Sequence, residues 1–282
     1  MEKRPRIALV LGAGSARGLA HIGVLQVFEK HRIPFDFIVG SSMGAMIGGI
    51  YACGADMKML GRMLEHLDSR LFFDVQLPRM GFISGKRIKE LLNLITKKKN
   101  FEETKIPLIV VATDLLTGEQ VVLEEGSITE AVRASISIPG IFHPVKRDEM
   151  ILVDGAVVNR LPIEVARSRG ADLVIAVDVT FGEGRMVTIN NTMDVILTAI
   201  DIMQKMQFDL VYNQADILIQ PAVGGFASKD FEKSQEIIQL GRQAAEEKLD
   251  EIKTKVGHGD RSLVPQSGTR DLSPCPKGLE RE

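Results

Sequence analysis

The sequence predicts an α/β protein with a mainly parallel central sheet and helices on both faces. Three observations carry that expectation. Apolar runs of strand length, such as "RIALVLGAG", "DFIVGSS" and "DLVIAVDVT", are continuously hydrophobic instead of alternating, as strands buried on both faces are. Longer stretches with helical spacing separate them, as parallel crossovers require. The first two runs end in Gly-rich loops, and in open sheets of this type ligands bind beyond the carboxyl ends of the strands. A chain of 282 residues that is 45% hydrophobic can bury a substantial core, and a net charge of −2 gives no reason to expect a nucleic acid partner. The two cysteines, Cys53 and Cys275, cannot build a disulfide framework and have no metal-ligand spacing around them, which points to a reducing compartment.

In order, the run from Ile7 to Leu11 is the first strand. The basic start before it superficially resembles a secretion signal, but the run is short and Arg17 follows soon after. We read it as a buried strand of a cytoplasmic protein, and no run approaches the length of a membrane span. "SARGLAHIGVLQVFEKH" follows as a helix with Leu19, Ile22, Leu25 and Phe28 at helical spacing. "DFIVGSS" is the second strand and runs into a helix from about Met43 to Cys53. Residues 55–100 are less regular, with helical pieces at Met57 to Leu67 and in "SGKRIKELLNLITKK", where Ser84 is the candidate N-cap. "IPLIVVATDL" and "EQVVLEEG" form a hairpin turning at Thr117-Gly118. "SITEAVRASISIPG" opens with a capping-box pattern, Ser127 to Glu130, and ends before Pro139. "MILVDGAVVN" is a strand ending in a turn, "LPIEVARSRGA" a helix and "DLVIAVDVT" a strand. "MDVILTAIDIMQKMQFDLVY" is a long apolar helix, "ADILIQPAV" the last strand, and "KDFEKSQEIIQLGRQAAEEKLDEIKTK" a single closing helix. Residues 257–282 lack periodicity and are rich in Pro, Gly, Ser and charge, so a disordered tail is expected there.

Gly40, Ser42 and Gly44 form G-x-S-x-G between a strand and a helix start. In such an elbow the serine is strained, its neighbours must be small, and its hydroxyl sits at a helix N-terminus that favours developing negative charge. Ser41 occupies an intervening position and points elsewhere. Taken alone, the motif is equally a tight turn that happens to contain serines. The preceding loop, Gly12-Ala13-Gly14-Ser15-Ala16-Arg17-Gly18, has three readings: a dinucleotide fingerprint, a packing turn, or an oxyanion hole. Arg17 stands where the fingerprint wants its third glycine, and no acidic residue ends the second strand, which counts against a nucleotide. An oxyanion hole needs backbone N–H groups unobstructed by side chains, and Arg17 could lend charge or brace the loop.

A serine hydroxyl needs a base. Of the five histidines, His21, His31, His66, His143 and His258, only the last two lie well downstream of the elbow. His258 is in the tail and His143 precedes the best-placed acid, so a Ser…Asp…His triad has little support. His21 and His31 read as packing or solvated residues. The best-placed acid is Asp154 in "ILVDGAVVNRLP", delivered by a strand to a turn that Gly155 permits. Burial raises a carboxylate's proton affinity towards what a general base requires, although an Asp-Gly turn alone accounts for the pattern. Asp114, Asp178 and Asp194 are assigned structural roles, the first two as braces of the surrounding loops.

Together these residues resemble the patatin-like phospholipase family, particularly its compact bacterial members, from about Ile7 to Val223. The resemblance rests on the glycine loop with Arg17, the elbow, Asp154-Gly155-Ala156, and "ASISIPGIFHPV" between elbow and aspartate. It implies a three-layer sandwich related to cytosolic phospholipase A2 over residues 1–256. It also implies hydrolysis of lipid carboxylic esters through a Ser–Asp dyad and an acyl-enzyme, without a catalytic histidine. Carried over, Ser42 is the nucleophile and Asp154 the base. The oxyanion hole is drawn from Gly12, Ala13, Gly14, Ser15, Arg17 and Gly18, with the Met43 N–H. Gly40 and Gly44 shape the elbow, and Gly155 and Ala156 the aspartate turn, where Ala156 replaces a common second glycine. No metal or cofactor is implied, the partner is a lipid or acyl-ester substrate, and nothing sets an oligomeric state. A lipid-sensing module with little turnover and an acyltransferase using the same acyl-enzyme stay open. Ile196 to Phe208 and "MKMLGRML" read as core more than as channel lining. The amphipathic pieces between 57 and 95 allow transient contact with anionic lipid at a membrane surface.

Overall fold

The computed structural model describes residues 4–66, 83–180, 189 and 192–257. Its strands are β1 (Ile7–Leu11), β2 (Phe37–Ser41), β3 (Leu108–Asp114), β4 (Gln120–Leu123), β5 (Val145–Arg147), β6 (Met150–Asp154), β7 (Leu173–Val177) and β8 (Ile217–Ile219). β1 lies between β2 and β7, β3 extends the sheet beyond β2, and β8 extends it beyond β7, all parallel. β4 and β6 pair antiparallel with β3, and β5 with β6. The mainly parallel sheet expected from the continuous apolar runs is therefore present. Every residue of β1, β2, β3 and β7 is buried.

The pleat sends alternate residues into two separate cores. Ile7, Leu9 and Leu11 face one layer, while Ala8 and Val10 face the other. The first layer contains α1 (Ala20–His31), α2 (Met43–Ala52), α3 (Met57–His66), α4 (Lys86–Thr96), α5 (Ile128–Ser135), α8 (Ser234–Glu247) and α9 (Leu249–Val256). The second is closed by α6 (Ile163–Ser168) and by Phe208 of α7 (Thr192–Val211). α1 and α8 cross with their backbones nearly touching. A Cβ on Gly23 would lie 2.0 Å from the Ile238 carbonyl oxygen, and one on Gly241 2.0 Å from that of Ala20.

Several elements differ from their sequence expectation. The first helix begins at Ala20, because Ser15–Leu19 forms a tighter 3₁₀ turn entered through Ser15 at a positive φ of 49°. Gly85 in the left-handed region caps α4, while Ser84 accepts a longer bond from the Lys86 N–H. The capping box at α5 is half formed: Ser127 Oγ accepts the Glu130 N–H. The single closing helix breaks at Lys248 into α8 and α9, with no Pro or Gly to mark it. β5 escapes sequence reading because it is short and mostly exposed. The expected tail from 258 onward, Leu67 and the side chain of Asp194 lie outside the described residues.

Candidate active site

The register of β3 brings the candidate nucleophile and base together. β4 pairs with residues 110–113 of β3, overlapping both β2, which pairs with 108–111, and β6, which pairs with 112–114. A strand has only two edges, so β2 and β6 must share the edge opposite β4, one after the other. β2 runs parallel to β3 and ends with Ser41 opposite Val111. β6 runs antiparallel and ends with Asp154 opposite Ala112. Their carboxyl ends therefore meet head-on, and the residue that follows β2 is Ser42.

Ser42 Oγ donates a 2.7 Å hydrogen bond to Asp154 Oδ2, with both residues buried. Ser42 caps α2 with φ 54° and ψ −121°, a conformation that costs a non-glycine residue on the order of 1–3 kcal/mol. The elbow glycines are required by close approach. A Cβ on Gly44 would sit 2.0 Å from the Leu11 carbonyl oxygen, and one on Gly40 2.6 Å from Ala45 Cα. Ser135 holds the strained backbone in place, its Oγ accepting the Ser42 N–H at 2.9 Å and donating to the Val111 carbonyl at 2.6 Å. Asp154 Oδ1 accepts the Ala156 N–H at 2.8 Å, and Thr113 Oγ1 donates to the Asp154 carbonyl at 3.0 Å. Burial pushes the Asp154 carboxyl up to about 6, against the bonds from Ser42 and Ala156 and the charge of Arg160, which favour its ionised form. Ser41 does point away, donating to the Asn159 carbonyl at 2.8 Å.

The glycine loop faces the same point, but not all of its amides are available. The Gly12 N–H is committed to the Val177 carbonyl at 3.0 Å and the Ala13 N–H to the Arg160 carbonyl at 2.9 Å. These two amides are therefore excluded from the predicted oxyanion set. The N–H groups of Gly14, Ser15 and Met43 make no hydrogen bond among the described residues, and all three residues border the cavity with Ser42 and Asp154. Gly18 serves packing, since a Cβ there would lie 2.4 Å from Met43 Cγ. Arg17 is buried and braces the loop through 3.4 Å contacts to Asp201 Oδ2, Ser228 Oγ and the Thr180 carbonyl.

The cavity measures about 670 Å³, within the range of small-molecule sites. Its wall is largely apolar, supplied by residues such as Met46, Met63, Leu91 and Ile138, with polar groups from α7 and residues 225–231. The segment read as core is thus divided: Met57 is fully buried, while Leu60, Met63 and Leu64 line the cavity. α3 and α4 turn apolar residues such as Leu60 and Ile88 towards the cavity, while Met59 and Leu94 on the same two helices are exposed. Further large exposed apolar side chains cluster on α7, at Val195, Ile196, Ile202, Met203, Met206 and Leu210.

Among the described residues no histidine lines the cavity. His21 is fully buried against the Gly12 carbonyl, 2.8 Å from its Nε2, and burial lowers its pKa to about 4. It is neutral at pH 7 and donates to that carbonyl. Asp114 and Asp178 are braces as expected. Asp114 accepts the Ile151 and Leu116 N–H groups, and Asp178 the Thr180 N–H and the Gln220 side chain. Sequence reasoning missed Ser135, Thr113, Arg160 and Thr180. Ser135 lies in "ASISIPG", where nothing in the spacing separates it from Ser137.

The family model described as patatin-like phospholipase matches residues 9–167. An uncharacterized NTE family protein of Mycobacterium tuberculosis is 36% identical over 181 residues, covering 64% of this chain and 50% of its own. Patatin-like phospholipase domain-containing protein 7 of the rat is 28% identical over 304 residues, 95% of this chain and 22% of that protein. The chain spans about half the length of the mycobacterial relatives it matches. The crystal structure of VipD from Legionella pneumophila superposes with a TM-score of 0.60 at 16% identity, over 89% of this chain and 67% of that one, a likeness of fold. Because the matched family model runs through the glycine loop, the elbow and the aspartate turn and takes in more than half of the sequence, this chain belongs to the patatin-like phospholipase family.

Proposed function

We propose that this chain is a serine acyl hydrolase that cleaves carboxylic ester bonds of lipids through Ser42, Asp154 and an acyl-enzyme. The observation that carries this reading is the buried 2.7 Å bond from Ser42 Oγ to a carboxylate whose proton affinity burial has raised, beside an apolar cavity. A carboxylate with an ordinary pKa is a weak base for a hydroxyl. Raising it towards neutrality improves proton transfer while leaving it mostly ionised at pH 7.

Ser42 Oγ attacks the ester carbonyl carbon as its proton passes to Asp154 Oδ2. The carbonyl oxygen becomes an alkoxide, stabilised by the N–H groups of Gly14, Ser15 and Met43, which are unengaged among the described residues, and by the N-terminus of α2. The tetrahedral species collapses, the ester C–O bond breaks, and the leaving alcohol takes the proton from Asp154. Water then attacks the acyl-enzyme with Asp154 again accepting the proton, and Ser42 is regenerated with release of the fatty acid. The mechanism calls for neither metal nor cofactor. The apolar wall from α2, α3 and α4 suits an acyl chain. The outward apolar side of α7, a helix that also borders the cavity, suits approach to a lipid aggregate.

A fluorophosphonate probe tests the reading directly. It should label the wild-type chain at Ser42 and leave folded Ser42→Ala unlabelled. Absence of labelling in the wild type would favour a lipid-sensing module over a hydrolase.

A further inference from the structure

The Gly14 amide is only as good an oxyanion donor as its orientation, and that orientation is set by the groups that hold the Ala13 carbonyl. The carbonyl of Ala13 belongs to the same peptide unit as the Gly14 N–H. It accepts from Arg160 Nη2 at 2.8 Å and from Thr180 Oγ1 at 2.8 Å. Arg160 also bonds Thr180 Oγ1, and its own carbonyl holds the Ala13 N–H at 2.9 Å, so Ala13 is gripped on both sides. In a trans amide the C=O and N–H point in opposite directions. Turning the Ala13 carbonyl towards Arg160 and Thr180 therefore turns the Gly14 N–H away from them; Ala13, Gly14 and Thr180 border the cavity with Ser42, while the Arg160 guanidinium is buried. A cationic donor on the carbonyl also polarises the amide and strengthens its N–H as a donor.

We propose that Arg160 and Thr180 are positioning residues that aim and strengthen the Gly14 N–H for the oxyanion. The proposal rests on the acyl-transfer reading above. The clamp is itself tightly held. Arg160, Asp178 and Thr180 are each 1% exposed. Asp178 Oδ1 lies 3.4 Å from Arg160 Nη2 and accepts the Thr180 N–H at 3.2 Å, and Arg160 Nη1 donates to Gln204 Oε1 at 3.2 Å. A guanidinium removed from water carries a large desolvation cost that an apolar side chain filling the same space would not. Val179 seals the back of the loop, where a Cβ on Gly14 would lie 2.4 Å from its Cγ2. Thr180 lies beyond the stretch matched by the family model, so the clamp joins that stretch to the end of the following strand.

Thr180→Val and Arg160→Met separate positioning from packing. The readouts are kcat and KM on a soluble short-chain ester, and affinity for two substrate analogues. One is a trifluoromethyl ketone that forms an alkoxide adduct on Ser42; the other is an ether that cannot react. Loss of an oxyanion donor costs about 10²–10³ in rate, and misaiming one should cost about 10-fold in Thr180→Val and up to about 100-fold in Arg160→Met. The loss should fall on kcat, with KM within about twofold. Affinity for the trifluoromethyl ketone should fall in the same proportion and affinity for the ether should not change. Thr180→Ser, which keeps the hydroxyl, should recover most of the rate. Unchanged kcat in folded Thr180→Val, or equal weakening of both analogues, overturns the proposal. Should Arg160→Met fail to fold, the Thr180 pair decides. Failure of the wild type to take up fluorophosphonate at Ser42 removes the acyl-transfer reading itself, and this inference with it. Labelled wild type with an indifferent Thr180→Val removes this inference alone.

Discussion

Ser42 and Asp154 are 112 positions apart in the chain and joined by a 2.7 Å hydrogen bond, because the strands that carry them end head-on along one edge of β3. If that bond is the proton path, Ser42→Ala and Asp154→Asn should each lower esterase kcat by at least about 10³-fold. Both variants should retain the wild-type circular dichroism spectrum. Near-wild-type turnover in either folded protein would remove the dyad from the mechanism.

The pH profile should carry the signature of a carboxylate base. With the Asp154 carboxyl raised to about 6, kcat/KM should rise through that pH and level off above it. A folded state that holds its proton more tightly than the unfolded state loses stability as pH rises between the ordinary carboxylate value and about 6. Asp154→Asn should therefore melt at a higher temperature than wild type at pH 8, and by a smaller margin at pH 4. Calorimetry at the two pH values checks the sign.

Glycine positions should divide sharply by what surrounds them. Gly44→Ala would drive a methyl into the Leu11 carbonyl, 2.0 Å away, and should destabilise the fold by several kcal/mol and abolish activity. Gly118→Ala meets nothing within 4 Å and only loses left-handed freedom at φ +74°, costing on the order of 1 kcal/mol with turnover unchanged. Denaturant titration of the two variants measures the contrast.

Acyl-chain selectivity should follow the apolar wall. Met63→Trp and Leu91→Trp enlarge half-buried side chains that border the cavity. Each should lower kcat/KM for long-chain esters at least about 10-fold while changing that for a butyrate ester less than about threefold. A series of p-nitrophenyl esters reads this out. Equal losses at all lengths would place the acyl chain elsewhere.

The outward side of α7 should matter only when substrate is presented in an aggregate. Met206 and Leu210 are 70% and 75% exposed, and replacing both by Glu opposes contact with lipid. The double variant should hydrolyse vesicle-borne ester at least about fivefold more slowly and float less with anionic vesicles. Its rate on a soluble short ester should match wild type. Equal flotation and equal vesicle rates would show that α7 does not meet lipid.

How much of the site is legible in the sequence follows from the range of the forces involved. Ser42 stands out because a strained elbow tolerates only small neighbours, and Gly40 and Gly44 write that requirement beside it. Asp154 stands out because a strand delivers it to an Asp-Gly turn. Ser135 and Thr113 do not stand out, because each acts through side-chain hydrogen bonds to backbone groups of distant segments. Gly12 and Ala13 look equivalent to Gly14 as donors until Val177 and Arg160 are seen to occupy their amides.

Hydrophobic run length, helical spacing and the demand for glycine are local properties, and from them the chain's own letters establish the layered α/β class, the elbow and the aspartate turn. Which loop amides stay unpaired among the described residues, that β6 enters antiparallel to meet β2 end to end, and that Arg160 and Thr180 converge on the Ala13 carbonyl were decided only on folding. Each depends on hydrogen-bond partners separated by large stretches of chain, and no short-range pattern encodes such pairings.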